Sequence, residues 1–140
     1  MKENIMGLAK PFVLGVVAVL SVAACLPPRE AQTSGASDFA ALCAPCHGPT
    51  GVGDGPVAAD LEIKPADLTG LAERNGGTFP MARVMSKIWG YSEGAVPSMM
   101  PEFGPLLDSP TVLVDVGDGI QTPTPERLID LADYLASIQG

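Results

Sequence analysis

The sequence predicts a mostly α domain of short helices that packs around something larger than its own side chains, with an export leader in front of it. Three observations carry this expectation. Apolar residues recur at helical spacing in two segments, Met81 to Trp89 and Leu128 to Ile138. Aromatic residues make up only 5% of the 140, against 16 Gly and 14 Pro, so side chains alone build a thin core. Two of the three cysteines and the single histidine are compressed into Cys43-Ala44-Pro45-Cys46-His47.

The leader comes first. Lys2 and Lys10 flank a short polar start, and Pro11 to Ala24 is almost entirely apolar, which is the layout of a secretory signal. Such a run reaches about 21 Å as a helix, short of the roughly 30 Å hydrocarbon core, so cleavage after residue 24 is expected rather than a permanent span. Val22-Ala23-Ala24-Cys25 resembles the bacterial lipobox, in which the cysteine receives a diacylglyceryl group. Lipidation at Cys25 then holds the chain to the membrane on the periplasmic side, since two or more acyl chains anchor stably where one binds reversibly. A cysteine at an ordinary cleavage site is the plain alternative. Leu26 to Ser37 is rich in Pro, Ser, Gly and Ala, so residues 25–34 read as a flexible linker and 35–140 as the domain.

Charge limits the partners. The chain has 8 basic and 16 acidic side chains, net −8. Loss of Lys2, Lys10 and Glu3 with the leader makes the mature chain more acidic still. Nucleic acid and anionic headgroups are excluded as partners, because phosphate binding draws on Lys and Arg clusters that this sequence lacks. A protein partner with a basic patch suits the charge.

Cys43-Ala44-Pro45-Cys46-His47 is the C-x-x-C-H pattern of c-type haem attachment. Two thiols three positions apart at a helix end can form thioethers to the two vinyl groups of one haem, and the adjacent imidazole then reaches the iron. A thioredoxin-like centre also uses C-x-x-C but expects a βαβ setting, which the surrounding pattern does not supply. A structural zinc site needs four ligands, and His47 is the sole histidine. A plain disulfide remains the bland reading. In an oxidising compartment a free pair of thiols is unstable, so Cys43 and Cys46 need a chemical fate.

A lone histidine rules out bis-His ligation within the chain and any histidine-based triad. The sixth ligand is then one of Met81, Met85, Met99 and Met100, with Lys64 and Lys87 as weaker options. Pro80 reads as a first helical residue, and Met81, Val84, Met85, Ile88 and Trp89 share one apolar helix face, which assigns Met81 and Met85 to the core. Met99 and Met100 lie instead in Ala95-Val96-Pro97-Ser98-Met99-Met100-Pro101, an irregular stretch bracketed by prolines. Both stay open on this reading.

From Gly35 to Gln139 the chain resembles the class I cytochromes c. The resemblance implies the cytochrome c fold, short helices around one covalently bound haem c. A methionine that opens a Met-Pro pair in the second half is the usual ligand, which implies Met100 in Met100-Pro101, with Met99 as the alternative. It also implies that Gly35 and Phe39 on the first helix meet Tyr134 on the last. It places the carbonyl of Pro56, after the glycine-rich turn Gly48 to Pro56, on the axial histidine, a bond that orients the ring. Trp89 and Tyr91 either donate to a haem propionate or pack on the haem.

The remaining elements are read from the residues. Pro65-Ala66-Asp67-Leu68 starts a short helix with Leu68 and Leu71 inward. The last helix has Thr124 as N-cap, Pro125 at N1 and a stripe of Leu128, Leu131, Ala132, Leu135 and Ile138. Residues 111–122 (TVLVDVGDGIQT), rich in β-branched residues around Gly117-Asp118-Gly119, form a small hairpin.

With the ligands that the resemblance implies, His47 and Met100 fill both axial positions, and the expectation is an electron carrier rather than an enzyme, with no catalytic residues. A soft thioether ligand favours ferrous iron and raises the reduction potential. The alternatives are a haem subunit of a larger respiratory dehydrogenase or oxidase, and a haem-based enzyme or sensor with a labile sixth ligand.

Overall fold

The computed structural model describes residues 35–91 and 99–140. The leader, Cys25, the 25–34 linker and the first part of the Met99–Met100 loop lie outside the described residues.

The chain opens with α1 (Gly35–Asp38), a π-helical turn (Phe39–Cys43) and α2 (Ala44–His47), which follow without a break. A 3-10 turn (Ala58–Asp60) leads to α3 (Leu71–Arg74) and α4 (Met81–Trp89). A second 3-10 turn (Gly104–Leu106), the strands β1 (Thr111–Val114) and β2 (Thr122–Pro125), and α5 (Glu126–Ser137) complete it. Helices this short are marginal alone, so their stability comes from packing one face each. Among the described residues, none is long and apolar enough to cross a membrane.

Packing centres on the crossing of α1 and α5. Phe39, Leu107 and Leu131 are fully buried, joined by Val84, Met85 and Ile88 from α4 and by Leu128, Ala132 and Leu135 from α5. Phe39 and Tyr134 meet as tilted rings with centroids 5.1 Å apart. Gly35 lets the two backbones touch, because a Cβ there would overlap the carbonyl of Asp130. The helix stripes expected from periodicity are thus present, with Met85 buried and Met81 half-buried against the core.

Several boundaries differ from expectation. Pro80 precedes α4 instead of opening it. Pro65 to Leu68 is not helical: Asp67 accepts hydrogen bonds from the Thr69 N–H and hydroxyl, a side-chain turn that competes with helix, and the helix starts at Leu71. Leu68 and Leu71 still pack on the core.

Thr124 does not cap α5. It is buried in β2 opposite Val112, and its hydroxyl donates to the Thr122 carbonyl. Pro125 takes the capping position, and the loop before β1 satisfies the first free amides: Glu126 N–H reaches the Pro110 carbonyl and Arg127 N–H the Ser109 hydroxyl. Strand pairing therefore displaced the local cap. A hairpin is present but reaches past the expected 111–122: its second strand is Thr122–Pro125, antiparallel to β1 from Thr111↔Pro125 to Val114↔Thr122. In its loop the Asp115 carboxylate accepts N–H groups from Gly117, Asp118 and Gly119.

Candidate functional site

Cys43, Cys46 and His47 stand on one continuous helical stretch that begins at Gly35. Cys43 closes the π-helical turn and is buried; Cys46 and His47 lie in the next turn and are partly exposed. Both thiols are free. A π turn shifts the phase of the helix just before the motif, a feature common near functional residues. Burial, with Asp38 and Cys46 adding to it, pushes the Cys43 thiol up to about 12. A thiol held neutral in this way is a poor redox nucleophile.

His47 Nδ1 lies 2.8 Å from the Ala66 carbonyl oxygen. A carbonyl can only accept, so Nδ1 is the donor, and in that tautomer the lone pair lies on Nε2. The bond fixes the ring's orientation. This corrects the expectation for Pro56. That residue is exposed at the corner of a turn closed by Ala58 N–H to the Gly55 carbonyl, and the histidine is held by the later loop instead.

The glycine-rich segment straps the motif rather than orienting the ring. Gly53, Gly55 and Val57 donate N–H groups to the carbonyls of His47, Cys46 and Pro45 at 2.7, 3.1 and 3.1 Å. At Gly55 a Cβ would overlap the backbone of Pro45 and Cys46, which explains the missing side chain. Leu68 N–H then bonds the Gly51 carbonyl at 2.7 Å, tying the strap to the loop that holds His47.

Of the sulfur candidates in the second half, Met100 is half-buried against the core and Met99 is 51% exposed. Met85 is engaged in the core, and Lys64 and Lys87 are exposed. Trp89 is half-buried, with Gly104 close against its ring, whereas Tyr91 is 69% exposed.

Sequence reasoning missed three contributors. Asp38 and Arg127 form an ion pair beneath the motif's helix. Gln139 donates to the Leu68 and Leu135 carbonyls and accepts the Ala72 N–H, clasping the histidine loop to α5. Ala66 contributes through its backbone alone. No side-chain pattern announces any of these.

The chemistry of the donor set fits a covalently held haem: two thiols three positions apart for thioether bonds, and an imidazole whose tautomer leaves Nε2 to ligate, with Cys43 set in the apolar core. Among the described residues no group of three or more His, Cys, Asp and Glu is placed to hold a metal ion on its own. No protein-family model, curated protein or solved structure matches the chain.

Proposed function

We propose that this protein is an electron carrier with one covalent haem c, bonded through Cys43 and Cys46 and ligated by His47 and Met100. It acts as an exported protein tethered by lipid on Cys25. The observation that carries this reading is the His47 Nδ1 bond to Ala66, on the same helical stretch as both thiols. Bound haem supplies a metal centre that gains and loses one electron.

The chain's own residues do the rest. The Ala66 carbonyl holds the imidazole ring in one orientation, and the Gly53–Val57 strap fixes the backbone of the motif. Met100, half-buried against the core, offers a thioether whose softness favours the reduced state. His47 and Met100 would be the two residues that hold the iron of a bound haem, and together they would leave a small molecule no place on it. The neutral, buried Cys43 thiol weighs against a thiol oxidoreductase.

The test is an optical spectrum of protein made with haem-maturation machinery, oxidised and reduced, repeated for Met100→Ala. The ferric protein should show the weak far-red sulfur-to-iron band, and the variant should lose it. A band that survives in Met100→Ala moves the assignment to Met99, and no band in the unaltered protein rejects methionine ligation.

A further inference from the structure

The hairpin plays no part in the site above, and its two edges differ. In an antiparallel ladder every second pair exchanges both N–H···O bonds, and the residues between turn their backbone groups outward. Glu126 N–H donates to the Pro110 carbonyl at 2.9 Å and sets the phase. With the observed register, Val112–Thr124 and Val114–Thr122 are therefore the bonded pairs, and Thr111 and Leu113 point their N–H and C=O groups away from β2. On β2 the outward positions fall at Pro123 and Pro125, which have no N–H to offer, so that edge is blunted. β1 carries no proline, and among the described residues the sheet has no third strand.

Exposed apolar residues accompany this edge. Leu113 is 64% exposed and shares its face with Pro123, and Ile120 in the connecting loop is 62% exposed. The surrounding charge has one sign. From Met99 to Glu126 the chain has no Lys or Arg, but it carries Glu102, Asp108, Asp115, Asp118 and Glu126. A second copy of this chain would set the same carboxylates against each other, which opposes self-pairing.

We infer that the outer edge of β1 docks an extended segment of another protein, whose apolar side chains meet Leu113 and whose lysines or arginines meet Asp108, Asp115 and Asp118. Backbone bonds at Thr111 and Leu113 supply affinity, and the flanking charges select a basic segment. This holds whether or not the chain carries haem.

Amide hydrogen exchange followed by NMR on the mature, natively purified protein tests it, with a capped peptide of alternating valine and lysine as the probe. At peptide ten times above its Kd, exchange at Thr111 and Leu113 slows about tenfold, while Val112 and Val114, already bonded to β2, change little. The corresponding valine–glutamate peptide leaves both amides unaffected. Leu113→Pro removes an N–H from the free edge without removing a ladder bond, and it abolishes the protection; the exchange pattern of the unaltered protein stands as evidence independently of how that variant folds. Unchanged exchange at Thr111 and Leu113, or protection that is equal around the exposed Asp130 and Asp133, overturns the inference. So does concentration-dependent protection of the two amides without peptide, which would assign the edge to a second copy.

Discussion

Asp38 and Arg127, 89 positions apart, are joined by a two-pronged ion pair, with Nη2 2.6 Å from Oδ1 and Nε 3.0 Å from Oδ2. Arg127 also donates to the Leu106 carbonyl, so one guanidinium ties α1, α5 and the 3-10 turn together. The Asp38 side chain is 3% exposed and that of Arg127 30%. Acceptance by Asp38 holds the guanidinium above its already high ordinary value.

That asymmetry of burial sets the first prediction. Arg127→Met strands a buried carboxylate and costs about 3–5 kcal/mol of stability. Asp38→Asn costs less, because the freed guanidinium still reaches water. Denaturant unfolding of the two variants checks the order, and equal costs contradict it.

Gly35→Ala should separate α1 from α5, since the added methyl overlaps the Asp130 carbonyl. A loss of about 1–3 kcal/mol is expected. The same denaturant curves measure it, and an unchanged midpoint would mean that the two helices have room for a methyl group where they cross.

The hairpin loop has a predictable acid response. Backbone N–H groups of Gly117 and Gly119 are the main cause holding the Asp115 carboxyl below its ordinary 3.8. A folded value below the unfolded one contributes stability that is fully present above the unfolded value and is lost as pH falls through the folded one. The loop therefore keeps its form at pH 4 and loosens only below 3.8. In an NMR titration the Asp115 carboxyl and the Gly117 and Gly119 amides should share one midpoint below that value.

Asp67 holds the loop that presents the Ala66 carbonyl, through its bonds to Thr69. Asp67→Ala should loosen that carbonyl, so that the His47 Nδ1 proton exchanges faster and the imidazole becomes a weaker donor. In the haem-loaded protein the reduction potential then rises. Proton exchange measured beside the potential separates this from simple loss of structure, and a potential that falls contradicts it.

What could be read from the sequence was whatever repeats or has a local mechanism. The stripes of α4 and α5 and a hairpin around Gly117-Asp118-Gly119 appear in the structure, whereas the meeting of Phe39 with Tyr134 came from the resemblance alone. What could not be read depends on partners distant in sequence. Asp38 beside an apolar run looks like a solvent-facing charge until Arg127 is brought to it. The Ala66 carbonyl is a backbone group that every residue has, so the acceptor for His47 was misplaced at Pro56. Thr124 had the chemistry of a cap, but pairing with Val112 used it first. Cys43, Cys46 and His47 were legible as a group because all three fall within five residues of one helical stretch.

Everything proposed for the iron depends on covalent haem at Cys43 and Cys46, and the intact mass of the denatured protein, made with haem-maturation machinery, reads that attachment without an intervening assumption. The expected mass is that of the processed chain, with whatever Cys25 carries, plus one haem, and the haem increment is lost when Cys43 and Cys46 are replaced by alanine. An unmodified mass, with two thiols free to react after unfolding, would contradict it.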